Sequence, residues 1–370
     1  MTAFIDSFTT QQLLPPWWSV GARFWGFIIE VPPACIQDYL DSHFNAPGPD
    51  QAPYRYDAIE DGNFGILTAA AHPDFSSRSE QRAMWDRLSH HQVHWGVPVR
   101  RHRVTADNLL VEPQVVWVQP FAFNDNSCVL FSGREIWGTE FEMAKIRFDE
   151  GLTPSDLHID VAVQGFETFA PSSRGKLVPV MHARLKTGAT QVQPAQIWSD
   201  APEVRFLRVL VECGAPATPP TGSPGSAGTE NFILPTALEL NTLKQFRDVF
   251  DMRFAAYRAI VASQASYSNI RDVEVYLGSQ VNLDFMWTDS LKEKFRQLFG
   301  VDKPADIAVG HPHDGAPGGP PGSGDGDADD GIDWQLPCVP IKVAFAFSFT
   351  AEELFEVTEV LHVYGQPGAV

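Results

Sequence analysis

Arg134 and Glu135 stand side by side in Gly133-Arg134-Glu135-Ile136-Trp137-Gly138, a stretch that is otherwise apolar and bracketed by glycines. A guanidinium can hold a carboxylate through two parallel hydrogen bonds, and a carboxyl group in a dry pocket can carry a proton. On a regular strand the two side chains point to opposite faces, so only one would enter an enclosed interior. The same pair could instead form structural hydrogen bonds that brace a wall. A second constellation is His90-His91-Gln92-Val93-His94, followed by Arg100-Arg101-His102-Arg103. In a helix either His90 or His91 would share a face with His94. No paired motif such as H-E-x-x-H accompanies them, so no metal is assigned and the expectation is a His-rich loop at a pocket mouth. The phosphate loop G-x-x-x-x-G-K-[ST] and the nucleophile elbow G-x-S-x-G are missing, and no G-x-G-x-x-G follows a strand and opens a helix. No cofactor is expected.

The elements that must position these groups read mostly as strands. Residues 24–31, 64–71, 157–163, 176–183, 272–277 and 341–349 have strand length and apolar content. Residues 115–123 and 129–137 read as two strands of a hairpin joined by Asn124-Asp125-Asn126. Helical spacing covers residues 34–44, and helices are expected at 79–88, 254–263 and 289–298. Residues 341–349 alternate large and small side chains, as a strand does in a tapering barrel, and Lys342 there is a possible internal amine. Strands are not separated by regular crossover helices, which favours an antiparallel α+β fold over a doubly wound one.

Bulk composition narrows the function classes. The chain has 370 residues, 44% of them hydrophobic, and a net charge of -19. It is long enough to bury a sizeable core as a single domain over 1–370. An acidic surface repels phosphate backbones, so no nucleic-acid or membrane partner is expected. No apolar run is long enough to span a bilayer, no secretory signal is apparent, and the four cysteines are scattered, which together predict a cytoplasmic protein. Residues 214–228 and 310–330 are Gly/Pro-rich and read as mobile surface insertions. The aromatic content, 12%, is high, with Trp17, Trp18, Phe24, Trp25 and Phe27 clustered near the start. Their usual meaning is core and subunit packing.

The Gly133-Arg134-Glu135 segment, with the preceding Val115–Gly138 stretch, resembles the G-R-E-(hydrophobic)-x-G-x-P-K-K region of the acetoacetate decarboxylase family. Trp95-Gly96-Val97-Pro98-Val99, Arg23-Phe24-Trp25 and residues 241–248 are similar to further family segments. The resemblance implies a cone-like antiparallel β-barrel with peripheral helices, enclosing a largely apolar pocket, in a homo-oligomer. It also implies Schiff-base chemistry from a lysine pair. Ungapped counting puts Phe141 and Glu142 where those lysines fall, and Gln92 where a family glutamate falls. A phenyl ring forms no imine, and a neutral amide cannot transfer a proton as a carboxylate does.

The sequence therefore predicts an enzyme acting on a small or medium keto acid or polyketide-like carbonyl compound by acid–base chemistry without an imine. Decarboxylation, aldol-type condensation and dehydration are the candidate reactions. Arg134 and Glu135 are the expected catalytic pair. Arg23, Gln92, His94, Trp137 and Phe141 are the expected substrate wall. Two alternatives stand beside this reading: a non-catalytic binding protein on the same fold, and a Schiff-base enzyme whose amine has moved to Lys145, two residues apart from position 143 on the face of Phe141 if the strand is regular.

Overall fold

The computed structural model describes residues 12–45, 53–59, 64–79, 87–149, 157–192, 237–247, 255–300, 332, 336 and 338–364. The two Gly/Pro-rich segments lie outside these residues, as does the body of the helix expected at 79–88. The chain runs β1 (Trp17–Glu30), α1 (Pro33–His43), β2 (Tyr54–Ala58), β3 (Phe64–Ser77), β4 (Leu88–Val104) and β5 (Leu110–Asn124). It continues through α2 (Ser127–Ser132), a π-helical turn (Gly133–Trp137), β6 (Phe141–Asp149), β7 (His158–Gly165) and β8 (Lys176–Leu185). Then follow β9 (Ala237–Arg247), β10 (Ala255–Leu277), β11 (Val281–Met286), α3 (Lys292–Phe299), β12 (Cys338–Pro340) and β13 (Val343–Val363).

All the strands belong to one 13-stranded sheet, and the pairing of β4 with β5 closes part of it on itself. The closed ring runs β5-β9-β10-β13-β1-β3-β4 and back to β5. From β5 the sheet also continues outward as a wing, β6-β7-β8-β11-β12, and β2 lies along the free edge of β4. Pairings are antiparallel except at β5, which runs parallel to both β6 and β9. The expectation of a wholly antiparallel α+β barrel is thus corrected to a mostly-β fold, in which a ring of strands carries a wing. Parallel neighbours arise because one strand, β5, pairs with three others.

Two apolar faces result. Alternate residues of the ring strands point inward, among them Phe24, Ala70, Trp117, Phe345, Phe347 and Phe349. The intervening residues, including Trp25, Leu67, Trp95 and Val118, point outward into the largest core. That core is covered by Ile36, Tyr39 and Leu40 of α1, by Phe295 and Leu298 of α3, and by Ile159, Val161, Ala183 and Phe285 of the wing. Each such buried side chain contributes about 1.5–3 kcal/mol, which holds helices and wing against the ring.

Two expected elements take another form. Residues 129–137 are not the second strand of a hairpin. Asn126 accepts from the backbone N–H of Cys128 (3.0 Å) and Val129 (3.4 Å), so the Asn-Asp-Asn run caps a helix instead of closing a turn. Residues 254–263 are not a helix either; from Ala255 they form β10, sandwiched between β9 and β13. Residues 259–263 are buried on both faces, a setting in which tertiary packing overrides the helical preference of alanine.

Candidate functional site

The ring encloses a cavity of about 100 Å³. Every ring strand contributes to its wall: Trp17 of β1, Thr68 and His72 of β3, Gln92 and His94 of β4, Trp117 and Gln119 of β5, Leu240 of β9, Tyr267 of β10, and Glu353 and Phe355 of β13. Val129 of α2, Thr139, and Phe141 at the start of β6 close the remaining side. A smaller space of about 50 Å³ adjoins it, bordered by Phe24, Gly26, Phe347 and Phe349. Thr68, Trp117, Leu238 and Tyr267 belong to both walls. The cavity thus has one end with several polar side chains and one end lined by aromatic and aliphatic residues.

Glu353 is the charged residue of this wall. It occupies the inward row of β13, following Phe345, Phe347, Phe349 and Ala351 at every second position, and is 9% exposed. Burial pushes its carboxyl up to about 7, and a hydrogen bond from the Tyr267 hydroxyl partly offsets that rise. Burial first, then the facing carboxylate, holds the Tyr267 phenol well above its ordinary range, so it is a permanent proton donor near neutrality. His72 Nδ1 lies 3.8 Å from a Glu353 oxygen and 2.9 Å from Ser19 Oγ. Burial keeps this imidazole neutral, so its contact with Glu353 is not an ion pair. Burial also lowers His94 to about 4 and His90 to about 3, and His90 stacks on His72 with ring centroids 4.5 Å apart. Among the described residues, no lysine or arginine borders this wall.

Two further atoms bear on ligand binding. His72 Nε2 and Trp117 Nε1 are buried without a hydrogen-bond partner among the described residues. A buried polar group left unpaired costs about 1–3 kcal/mol, so groups of this kind in a cavity wall are natural contacts for a ligand oxygen.

The residues expected from sequence divide sharply. Gln92, His94 and Phe141 meet in the cavity wall. Trp137 lies behind it, packed on Trp17 (4.8 Å between centroids) and Phe355 (4.3 Å). Arg23 lies on the opposite face of β1 from Phe24, in register with Ala71, and does not border the cavity. Arg134 and Glu135 are not consecutive strand residues; they belong to the π-helical turn. Arg134 is exposed, while Glu135 accepts a hydrogen bond from Gln12 Nε2. Lys145 is exposed on β6, because burial there shifts from Phe141 to the row of Ala144 and Ile146. Lys342 is exposed as well. Glu142 turns outward to an ion pair with Lys294 at 3.1 Å.

The histidine run is strand and not loop or helix. Its period of two sends His90, Gln92 and His94 inward, whereas the His91 ring pairs with Asp125 at 2.8 Å. Glu353, Tyr267 and His72 were not anticipated. One signal was legible: Phe345, Phe347, Phe349 and Ala351 set up an alternating row whose next members are Glu353 and Phe355.

The glycines of the motif have a steric reason. A Cβ on Gly133 would lie 2.3 Å from the Phe141 ring. Gly138 has φ +74°, and a Cβ there would lie 2.5 Å from Lys244 Cα on β9. The turn therefore packs with its backbone against a cavity residue on one side and a ring strand on the other.

No family model matches the chain, and no curated protein matches it in sequence. Among solved structures, acetoacetate decarboxylase from Legionella pneumophila is similar, with a TM-score of 0.49 and 11% identity over 97% of this chain and 92% of that one. The enduracididine biosynthesis enzyme MppR, bound to the condensation product of pyruvate and imidazole 4-carboxaldehyde, gives 0.47 and 12% over 96% and 92%. An acetoacetate decarboxylase-like enzyme from Sphingomonas wittichii gives 0.44 and 9% over 93% and 94%.

Proposed function

We propose that this chain is an acetoacetate decarboxylase-like enzyme that acts on a small carbonyl compound by proton transfer, without an imine. The observation that carries this reading is Glu353: a buried carboxyl with its pKa pushed up to about 7, hydrogen-bonded by Tyr267, in a cavity wall with no amine among its described residues. An acid–base group works best when its pKa lies near the working pH. As a carboxylate, Glu353 removes the proton α to a carbonyl: its O–H bond forms, the C–H bond breaks, and the electron pair moves onto the carbonyl oxygen. The enolate oxygen then needs donors, and Trp117 Nε1 and an Nε2–H tautomer of His72 are unpaired in the same wall. That tautomer follows if Ser19 Oγ donates to His72 Nδ1.

The charge of the wall also bears on the substrate. With neutral imidazoles and no guanidinium or ammonium among the described wall residues, a free carboxylate would face Glu353 without a counter-ion from them. A neutral ketone or β-dicarbonyl, of the polyketide-like kind, fits better than a keto acid. The aromatic annex beside Phe347 and Phe349 suits an apolar tail.

Incubation with methyl ketones and β-diketones in D2O tests this, with exchange at the α-carbon followed by NMR. Exchange that depends on Glu353, and disappears in Glu353→Gln, is expected. Borohydride treatment during turnover should leave no covalent mass increase, at Lys145 or elsewhere. Ligand-induced stabilisation with no exchange would instead favour the binding-protein reading, and a trapped adduct would favour the imine.

A further inference from the structure

The wing carries a second cluster on the face turned away from the core. His158 and Asp160 lie two apart on β7, and their register partners on β8 are Arg184 and His182. The intervening residues Ile159, Val161, Met181 and Ala183 are buried in the main core, so both backbones are held firmly beneath the cluster. Asp160 is only 6% exposed. Its carboxylate stands between two imidazoles, 2.8 Å from His158 Nε2 and hydrogen-bonded to His182 Nδ1. One ligand atom from each of the three residues lies within 4.8 Å of the others.

The hydrogen bonding here is contradictory without a cation. Arg184 Nη2 lies 3.0 Å from the same His158 Nε2 that faces Asp160. If that nitrogen carries a proton, it donates to Asp160 but confronts an arginine N–H. If it is bare, it accepts from Arg184 but confronts a carboxylate. One nitrogen cannot satisfy both neighbours; a cation between Nε2 and the carboxylate takes the single lone pair and removes the clash with Asp160, while Arg184 gives up its contact.

We propose that His158 Nε2, Asp160 and His182 Nδ1 bind one first-row divalent cation, with zinc the best fit. Two imidazoles and one carboxylate are the borderline donors that zinc and cobalt accept, whereas magnesium and calcium favour oxygen alone. Binding displaces or relocates the imidazole protons that now face Asp160 and changes no oxidation state. The cation clamps β7 to β8 and leaves at least one position to solvent or a ligand. This site is separate from the cavity and does not rest on the proposed acid–base chemistry.

The test uses the full chain, free of a histidine tag and stripped with chelator, titrated with Zn2+ and Co2+. One equivalent per chain, visible Co2+ absorption of a low-coordinate site and a raised Tm are expected. Asp160→Asn and His182→Ala should weaken binding about 100-fold, while His91→Ala, in the other histidine cluster, should leave it unchanged. Should the ligand variants fail to fold, Arg184→Gln decides: removing a cation 3.0 Å from a ligand nitrogen must tighten Co2+ binding. No stoichiometric uptake, uptake indifferent to Asp160→Asn, uptake lost in His91→Ala, or no tightening in Arg184→Gln would each overturn the site.

Discussion

Glu353 places an ionisable group where folding opposes its charge, and that conflict is measurable. Its folded pKa, about 7, lies above the ordinary value of 4.5. The contribution to stability is therefore fully present below pH 4.5 and is lost as pH rises through 7. Above that range the cost levels off at roughly 3 kcal/mol, taking each pKa unit as about 1.4 kcal/mol. Glutamine keeps the shape but not the titration. The difference in unfolding free energy between Glu353→Gln and the wild-type chain should thus shift by roughly 3 kcal/mol in the variant's favour between pH 4 and pH 8. Denaturant curves at a series of pH values would show it, and a flat difference would mean that Glu353 ionises normally. The buried histidines act with the opposite sign, since His94 at about 4 and His90 at about 3 lose stability as pH falls from 6.5. Comparing variant with wild type cancels their shared background.

At the scale of elements, the glycine-bracketed turn couples packing outside the ring to the shape of the cavity. An alanine at Gly133 must displace the Phe141 ring, whose nearest atom would stand 2.3 Å from the new Cβ. Overpacking of this kind costs about 1–3 kcal/mol. Gly133→Ala should therefore destabilise the wild-type chain by roughly 2 kcal/mol, and by much less when Phe141→Ala is already present. A double-mutant cycle on thermal or denaturant unfolding reads that coupling; additive effects would place the ring elsewhere. This motif was visible in sequence as a spacing, and its glycines were correctly conspicuous, but its conformation was not. Val129, Leu130 and Phe131 form a short apolar run that fits a strand or a helix equally well, and only the Asn126 cap tips it towards helix. Arg134 and Glu135 are charges in an apolar setting, yet the turn carries Arg134 out to solvent. Gln92 and Phe141 lie in the wall at positions that counting along the family segments picks out, and His94 belongs to a run whose strand period the sequence reading takes for loop or helix. Glu353, Tyr267 and His72 come together only when three distant strands close the ring. The single local trace of this was one acidic residue in the aromatic row of β13.

Closure of the ring is the property of the whole molecule on which the cavity depends, and its weakest seam can be identified. Strands β5 and β9 pair over only a short parallel stretch, Trp117 with Leu240 and Val118 with Asn241. Arg101 of β4 reinforces that seam from the side. Its Nη1 donates to Glu239 Oε1 at 2.7 Å and to Asn241 Oδ1 at 2.9 Å, and Nη2 donates to Gln114 of β5. Tyr56 of β2 adds a hydroxyl donated to the same Asn241 oxygen at 2.8 Å. One guanidinium thus joins three strands, a task its planar fork performs and an ammonium does not. Breaking a buried pair by removing one partner costs about 3–5 kcal/mol, but Glu239 keeps enough solvent contact to recover part of it. Arg101→Met should then lower stability by roughly 2 kcal/mol, with Arg101→Lys restoring little of it. The location of the effect matters more than its size. Amide exchange should accelerate first in β9 and along residues 116–118 of β5, while the β1–β3 and β1–β13 ladders stay protected, because those pairings extend over most of each strand. Uniform acceleration across the sheet would show that the ring opens as one unit and that this seam has no special standing.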